Sequence, residues 1–218
     1  MKRNIAIILS GCGVSDGSEI HEAVMTMLAI DKQGAIYTLF APNKPQHHVI
    51  HHITQKEMPE SRNVLTEAAR IARGHIFPLS QFDASQFDAL VLPGGSGAVK
   101  NLSDYAFCGT ACSVDMEVAD AIRAMHNLHK PIGGLCIAPV VIAKTLGNGV
   151  KVTIGNNAYI GNQLKEMGAE HCKAALGEVV IDEKNKVVTT PCYMYAEATI
   201  GDICDSAEAL VKCVLKLI

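Results

Sequence analysis

Cys136 is the residue whose surroundings best suit nucleophilic chemistry in this chain of 218 residues. Gly134 and Ala138 lie two residues before and after it, where a sharp strand-to-helix turn around a nucleophile requires small residues. Pro139 suits the first turn of a helix. A thiol at a helix N-terminus faces the positive end of the helix dipole, which favours the thiolate. We therefore expect a nucleophilic cysteine at an elbow, the alternative being a small packed thiol.

The glycine-rich stretch LPGGSGAVKN follows another predicted strand and lies opposite Cys136 if the two strands are parallel. The backbone N–H groups of Gly95 and Ile137 can then hold a negatively charged oxygen, a role worth roughly 3 to 4 kcal/mol per donor. Gly94 belongs to the same turn and is expected to border the pocket. Taken alone, a Pro-Gly-Gly turn is equally typical of a flexible strand end, so its interpretation depends on Cys136.

Glu19 and Glu22 are the acid–base candidates, in the first glycine-rich loop SGCGVSDGSEIHE. They are one helical turn apart and share a face. Either can be a solvated carboxylate at the positive end of a helix dipole, and either can move a proton if it reaches the thiol.

Three further residues are candidates for the wall of the same pocket. Cys12 lies in the first loop, where it can act as a second thiol under oxidation or be a small packed side chain. Lys100 and Asn101 follow the second glycine-rich stretch, where they can orient a polar substrate or cap a turn.

No metal site or cofactor is predicted. The segment HEAVM falls short of the zinc motif His-Glu-x-x-His, because Met25 stands where the second histidine would be. The densest histidine cluster has no cysteine or carboxylate at ligand spacing, and we expect it to lie in a solvated loop: His47, His48, His51 and His52.

Alternating strands and helices must position these loops. Hydrophobic periodicity predicts strands over residues 4–9, 35–41, 88–92, 131–135, 150–154, 178–182 and 186–190. It predicts helices over residues 19–33, 59–73, 114–128, 138–146, 162–167 and 199–216. This order is typical of a doubly wound α/β fold, with a mostly parallel sheet covered by helices on both faces. Ligands of such sheets bind beyond the carboxyl ends of the strands, where the three loops above converge.

Composition excludes several classes of function. A formal charge of −3 with interspersed signs argues against a nucleic-acid partner. No apolar stretch approaches the roughly 20 residues of a membrane-spanning helix. The apolar run 5–9 is too short for a secretory signal, so we expect a cytoplasmic protein with reduced cysteines. No linker or repeat divides the chain, which predicts one domain over residues 1–218.

Five segments carry a resemblance to a known family: ILSGCGVSDGSEIHEAV, RNVLTEAARIARG, LVLPGGSGAVKNLS, CIAP and MGAEH. The chain resembles the ThiJ/PfpI superfamily, which is related to class I glutamine amidotransferase domains. Within it the chain is most similar to the ElbB-like branch, described as glyoxalase or isoprenoid-biosynthesis protein with an amidotransferase-like domain. The resemblance implies a flavodoxin-like three-layer sandwich with a nucleophile elbow, and commonly a homodimer.

The resemblance also implies roles for particular residues. Cys136 matches the superfamily's elbow cysteine, and Gly95 and Ile137 match its oxyanion donors. The superfamily's first-loop glutamate precedes the glycine that ends the helix by about twelve residues, so Glu22 is favoured and Glu19 is the second choice. Amidotransferases carry a late His-x-Glu pair, and protease-like relatives carry histidine directly after the cysteine. This chain has neither, nor the histidine that other relatives place where Gly155 stands, which argues against glutaminase and peptidase activity.

Two classes of function follow. In the first, which the resemblance implies, the Cys136 thiolate and Glu22 convert glyoxal or methylglyoxal to the 2-hydroxy acid without glutathione. Deglycation of proteins would use the same residues. In the second, the protein is not a catalyst, and Cys136 senses oxidants while the domain binds a partner.

Overall fold

The structure is a computed structural model that describes residues 2–218. Its strands over these residues are β1 (Asn4–Ile8), β2 (Ile36–Ala41), β3 (Val49–His51), β4 (Lys56–Met58), β5 (Phe77–Pro78), β6 (Ala89–Leu92), β7 (Ile132–Leu135), β8 (Lys151–Val152), β9 (Glu170–His171), β10 (Val180–Asp182) and β11 (Val187–Thr190). Its α-helices are α1 (Ile20–Lys32), α2 (Val64–Ile71), α3 (Gly97–Lys100), α4 (Tyr105–Cys108), α5 (Met116–Asn127), α6 (Pro139–Leu146), α7 (Ala158–Glu166) and α8 (Ile200–Lys216).

Seven strands form the main sheet, in the order β10-β11-β7-β6-β1-β2-β5. All neighbours pair in parallel except β10, which runs antiparallel to β11 at the edge. The strands β6 and β7 are buried along their whole length, as parallel strands covered on both faces must be. The predicted doubly wound α/β fold is confirmed.

Two hydrophobic cores lie on opposite faces of the sheet. One contains the buried faces of α5 and α6, and the other contains those of α1, α2 and α8. Burying these apolar faces stabilises the fold by roughly 25 cal/mol per Å² of apolar surface removed from water. The layers are therefore helix, sheet and helix, and they hold the carboxyl ends of β1, β6, β7 and β11 side by side.

The helix that carries both candidate glutamates has well-defined ends. Glu19 is its N-cap, with the side chain accepting the Glu22 N–H at 2.7 Å. Gly34 follows the last turn with a φ of +73°, a left-handed conformation that glycine adopts without strain. The predicted helix over residues 19–33 is confirmed to within one residue at each end.

Two predicted elements differ from the structure. The helix predicted over residues 59–73 begins only at Val64, because the Asn63 side chain caps it through the Thr66 N–H and an antiparallel β3–β4 hairpin occupies the preceding chain. The strand predicted over residues 150–154 is limited to β8, which pairs with β9 outside the main sheet. Periodicity reports burial along the chain and does not reveal which strand is the partner.

Within residues 2–218, no helix has the length and apolar character needed to cross a bilayer.

Candidate active site at the carboxyl ends of the strands

Gly94 marks the point where the three predicted loops meet. A Cβ atom added to it would lie 2.6 Å from the Cys136 Cβ and 2.7 Å from Oε2 of Glu22. Its own N–H donates a hydrogen bond to that oxygen at 2.9 Å. The strands β1, β6 and β7 are neighbours in the sheet, so the loops that follow them bring Cys136, Glu22 and the Gly94 turn together.

The turn at Cys136 is sharp and left-handed. The strand β7 ends at Leu135, Cys136 has a φ of +57°, and α6 begins at Pro139. A positive φ is uncommon for a residue with a side chain and is typical of functional sites where the surroundings impose it. Gly134 has no room for a side chain, because a Cβ there would lie 2.7 Å from Cδ1 of Ile142.

The environment of the Cys136 thiol opposes the predicted thiolate. The residue is only 8% exposed, and burial, followed by the nearby Glu22 carboxyl, raises the pKa of the thiol well above its ordinary value. The Gly95 N–H donates to the sulfur, and this hydrogen bond lowers the pKa of the thiol. The expectation that the helix N-terminus lowers this pKa is therefore wrong, because desolvation outweighs the dipole.

Glu22 is the acid–base group nearest to the thiol. Its side chain is fully buried and interacts with the Cys136 thiol, and its Oε1 accepts the Tyr193 N–H at 3.4 Å. Burial, and then the charge of Glu19, raise the pKa of Glu22 to about 8. At neutral pH this carboxyl is mostly protonated, so it can donate a proton to a neighbouring atom and, once ionised, take one back.

Glu19 has a different place. Its Oε2 caps α1 through the Glu22 N–H, and its Oε1 lies 3.9 Å from Nδ1 of His21. The Glu19 N–H donates to the Gly94 carbonyl at 2.9 Å, which fixes the glycine turn against the helix start. Of the two predicted glutamates, the structure places Glu22 at the thiol and Glu19 beneath it as a cap.

Gly95 interacts with the sulfur through its backbone, and Ile137 directly follows Cys136 in the chain. Gly95 has a φ of +96°, and a side chain there would collide with the backbone, since a Cβ would lie 2.3 Å from the Glu19 nitrogen. The Gly95 N–H is directed at the Cys136 sulfur, and the Ile137 N–H has no partner within the described part of the chain.

Cys12 lies apart from this group. It is half-buried, and the side chains that influence it are those of Glu67, Arg70, Asp16 and Arg62. Burial and then the Glu67 charge raise the pKa of its thiol. Cys12 therefore faces the charged side of α2, and Glu22 is absent from its surroundings.

Lys100 and Asn101 stabilise the first loop. The Lys100 ammonium donates to the Ser15 carbonyl at 2.8 Å. The buried Asn101 amide donates to the carbonyls of Ser10 and Asp16 at 2.9 and 2.8 Å. These bonds use both amide donors of Asn101 and one of the three ammonium donors of Lys100, and their acceptors are carbonyls of the first loop. Of the two alternatives, the structure places both residues in the turn-stabilising role.

The histidine-rich segment forms part of the β3–β4 hairpin and its flanks rather than the expected loop. His47 stacks on Phe107 with ring centroids 3.9 Å apart, and His52 accepts the Ser15 N–H at 3.3 Å. In the part of the chain that the structure describes, residues 2–218, no three metal-ligating side chains cluster closely enough to hold an ion.

Two residues at the site were missed from the sequence, Cys192 and Tyr193. Cys192 is fully buried with a φ of +43°, in the 3-10 turn that follows β11. The N–H of Tyr193 donates to Glu22, and its hydroxyl lies 2.9 Å from Nδ1 of His21. A cysteine two residues after a predicted strand was a usable signal, because strand ends of one parallel sheet share an edge.

Comparison with known proteins decides the family. Residues 14–203 match the DJ-1/PfpI family. The chain belongs to this family. The match spans the three loops from Val14 onward and the whole of β7 and α6.

Several known proteins are similar to this chain over nearly its whole length. The human glutamine amidotransferase-like class 1 domain-containing protein 3, mitochondrial, is 46% identical over 98% of this chain and 82% of its own length. The ES1 protein homolog, mitochondrial, of Rattus norvegicus is 45% identical over 99% of this chain and 84% of its own length. The crystal structure of an isoprenoid biosynthesis protein with amidotransferase-like domain from Ehrlichia chaffeensis has a TM-score of 0.93 and 35% identity, with 99% of each chain covered. Drosophila melanogaster DJ-1beta, at a TM-score of 0.56 and 18% identity, covering 100% of this chain and 96% of its own, shares the fold.

The names of these relatives correct the predicted localisation. The rat and human proteins are named mitochondrial, and so is the ES1 protein of Danio rerio, which is 35% identical over 98% of this chain and 86% of its own length. The cytoplasmic prediction is therefore contradicted. It depended on the short apolar run near the start of the chain and on the lack of a long apolar stretch, and neither feature distinguishes cytoplasm from mitochondrion.

Proposed function

We propose that this protein converts small 1,2-dicarbonyl compounds such as glyoxal and methylglyoxal to 2-hydroxy acids, with Cys136 as nucleophile and Glu22 as acid and base. The observation that carries the proposal is the contact between the two side chains, with a fully buried carboxyl whose pKa is raised to about 8. A group that changes protonation near the working pH can both give and take a proton within one turnover.

The first step joins the sulfur to the substrate. The ionised fraction of Glu22 takes the thiol proton as the Cys136 sulfur bonds to the aldehyde carbon. The carbonyl oxygen gains the electron pair of its broken π bond. In this proposal the N–H of Gly95, which already donates to the Cys136 sulfur, and the N–H of Ile137, the next residue in the chain, hold that oxygen. Return of the proton from Glu22 gives a neutral hemithioacetal.

The second step moves a proton between adjacent carbons. Glu22 removes the proton from the carbon that carries sulfur, which gives an enediolate. The hydroxyl proton on that carbon's oxygen shifts to the neighbouring oxygen, and Glu22 delivers its own proton to the neighbouring carbon. The product is a thioester of the 2-hydroxy acid. Water then hydrolyses it, which releases glycolate or lactate and restores the thiol. The net reaction adds one water to the dicarbonyl and requires no oxidant, reductant or glutathione.

A buried thiol with a raised pKa suits this chemistry because the proton leaves only as the carbon–sulfur bond forms. A permanently ionised thiolate beside an ionised Glu22 would bring two like charges together in a desolvated site. The pair avoids that state by holding one negative charge at most.

The test is a substrate panel measured on the full chain. Glyoxal, methylglyoxal, a glycated amine and glutamine are incubated with wild type, Cys136→Ala and Cys12→Ala, and acid products are quantified. We expect wild type and Cys12→Ala to form glycolate and lactate, and Cys136→Ala to be inactive. Equal rates in wild type and Cys136→Ala would overturn the proposal. Faster consumption of the glycated amine than of the free aldehyde would instead assign the same residues to deglycation.

A further inference from the structure

Cys192 is a second thiol at the site, and the proposed aldehyde chemistry leaves it without a role. The residue is fully buried and follows the strand next to the one that ends at Cys136. It has a positive φ, +43°, as Cys136 has at +57°. Two neighbouring strand ends thus each hold a cysteine in a conformation that side chains rarely adopt.

The register of the sheet brings the two cysteines close together. The strands β7 and β11 are parallel neighbours, with Leu135 opposite Thr190. The Cys136 N–H continues the ladder by donating to the Thr190 carbonyl at 3.0 Å, and it also lies against the Cys192 sulfur. Adjacent strands are about 4.8 Å apart, and disulfides need Cα atoms roughly 4.4 to 6.8 Å apart. Cys192 lies one residue beyond the position opposite Cys136, so the backbone spacing suits a bridge.

The two thiols share the same environment. Both pack in the core between the sheet and the α1, α2 and α8 helices. Burial and then the Glu22 charge raise the pKa of each thiol. The Ser206 hydroxyl of α8 lies against the Cys192 sulfur. Glu22 therefore interacts directly with the Cys136 thiol, and its charge also acts on the Cys192 sulfur.

The two cysteines differ in exposure to solvent, which determines the one that an oxidant reaches first. Cys136 retains 8% exposure, whereas Cys192 has none. A peroxide from solvent therefore reaches Cys136 first, and Cys192 is positioned to react with what Cys136 becomes.

We propose that Cys192 is the resolving thiol of Cys136 and converts an oxidised Cys136 into a reversible disulfide. Ionised Glu22 takes the thiol proton of Cys136 as the sulfur attacks one oxygen of hydrogen peroxide. The O–O bond breaks, and the departing hydroxide takes that proton from Glu22, which gives water and a sulfenic acid. Glu22, ionised again, takes the thiol proton of Cys192 as the Cys192 sulfur attacks the Cys136 sulfur. The S–S bond forms, the S–O bond breaks, and the leaving hydroxide takes a proton from Glu22. Two thiols lose two electrons in total, and one peroxide becomes two waters.

The bridge protects Cys136 from irreversible oxidation. Sulfenic acid that finds no thiol reacts with a second peroxide to give sulfinic acid, which ordinary thiols do not reduce. A disulfide removes the nucleophile only until a dithiol restores it. This role is independent of the aldehyde activity, because it requires only the two sulfurs and a peroxide.

The experiment maps the bridge directly in the full chain. The protein is treated with hydrogen peroxide, its free thiols are alkylated, and tryptic peptides are analysed without reduction. The peptide over residues 124–144 contains Cys136 alone, whereas the peptide over 187–212 contains both Cys192 and Cys204. A Cys204→Ser background therefore leaves Cys192 as the sole partner on the second peptide.

We expect wild type and Cys204→Ser each to lose two free thiols and to give one cross-linked peptide pair. The mass of this pair is the sum of the two free peptides minus two hydrogens, and dithiothreitol separates it into those peptides. Cys192→Ala and the more conservative Cys192→Ser should instead accumulate two oxygen atoms on Cys136. Cys112→Ser is the matched control, because Cys112 is buried in the core on the opposite face of the sheet. It should form the bridge as wild type does.

The result that would overturn the proposal is oxidised wild type in which Cys136 becomes sulfinic acid, or links elsewhere, with no bridge to Cys192. The wild-type cross-link does not depend on the folding of any variant. It also does not depend on aldehyde turnover, so failure of the bridge and failure of the proposed enzymatic activity are observed separately.

Discussion

Cys136 and Cys12 follow parallel strands at the same edge of one sheet, yet their surroundings differ in kind. Cys136 is packed against a single acid that is mostly neutral at pH 7, and the Gly95 N–H is directed at its sulfur. Cys12 is half-buried beside acidic and basic side chains, with Glu67 and Arg70 foremost. Both cysteines follow a strand and lie near glycines. Only Cys136 has Glu22 as an acid–base partner.

The comparison shows which electrostatic effect dominates. A helix N-terminus stabilises a nearby negative charge by roughly 0.3 to 2 kcal/mol. Burying a charge without full compensation costs several kcal/mol. At Cys136 the larger effect is burial, and it acts against the thiolate. Reactivity there requires that Glu22 remove the thiol proton during the reaction. The foremost acid beside Cys12 is Glu67, whose carboxylate is paired with Arg62 and Arg70.

The largest expected effect comes from Glu22→Gln, with Glu67→Gln as its counterpart beside Cys12. Glutamine keeps the size of the neutral acid and cannot transfer the proton. We expect aldehyde turnover to fall roughly 10²- to 10⁴-fold, the usual contribution of a positioned acid–base group. Glu67→Gln should retain turnover, measured as lactate formed from methylglyoxal. Comparable losses in the two variants would remove the distinction between the two cysteines.

Gly94→Ala is expected to have the next largest effect. The new methyl group would approach the Cys136 Cβ and the Glu22 carboxyl to less than 3 Å. Such overpacking typically lowers the free energy of unfolding by about 1 to 3 kcal/mol. It should also separate Glu22 from the thiol, so turnover falls as well. Urea denaturation measures the first effect.

Gly201→Ala is the matched control for Gly94→Ala. Gly201 lies in the first turn of α8, and the nearest atom to an added Cβ is 3.5 Å away. An alanine there should be neutral or stabilise the helix by up to about 1 kcal/mol. A Gly94→Ala protein as stable as wild type would show that the Cys136 and Glu22 side chains leave room for a methyl group at residue 94.

The pH dependence of stability is the third expected effect. The pKa of Glu22 is about 8 in the folded state, against roughly 4.3 for an unperturbed glutamate. Between these values the folded chain holds a proton that the unfolded chain has lost. The contribution of Glu22 to the free energy of unfolding therefore falls as pH rises, by about 1.4 kcal/mol per pH unit.

Denaturation of wild type and Glu22→Gln at pH 5, 6, 7 and 8 measures this contribution. The variant should become more stable relative to wild type as pH rises through this window, whereas Glu67→Gln keeps Glu22 intact and should follow the wild-type slope. Parallel curves for wild type and Glu22→Gln would mean that the buried carboxyl is already ionised at pH 5.

The smallest expected effect is that of Cys12→Ala. The side chain is half-buried, so the free energy of unfolding should change by less than about 1 kcal/mol, near the small effects typical of surface substitutions. Aldehyde turnover should remain, because no group of the Cys136 site depends on this thiol. A large loss of turnover with unchanged stability would place Cys12 in the reaction after all.

Much of the fold could be predicted because its signals are local. Gly34 ends α1 as expected, and the antiparallel pair β10–β11 lies where two short apolar runs flank a turn. The strand boundaries of β1, β6 and β7 agree with the predicted runs to within a residue or two. The hairpin β3–β4 was not predicted, because its strands are three residues long and most of their side chains are at least partly exposed. Short exposed strands carry little periodicity.

The candidate site could be predicted only in part. Small residues around Cys136 and the spacing of Glu22 from Gly34 indicated which residues to examine. Cys192 was not found, although its position after a predicted strand was a usable signal, because the sequence does not reveal that this strand pairs with the one that ends at Cys136. For Lys100 and Asn101 the sequence left a substrate role and a turn-capping role open, and only the folded chain showed that both donate to carbonyls of the first loop.

By itself the sequence determined the order of the elements, the parallel sheet and the loops that gather at its edge, since propensity and periodicity act over a few residues. The tertiary structure decided the protonation states of the acid and the thiol at that edge. Glu22 lies next to Cys136 and Cys192, which follow it by more than one hundred residues in the chain. Burial and Coulomb energies depend on distance in space, so only the folded chain makes the acid neutral, keeps the thiol protonated and places a second sulfur beside it.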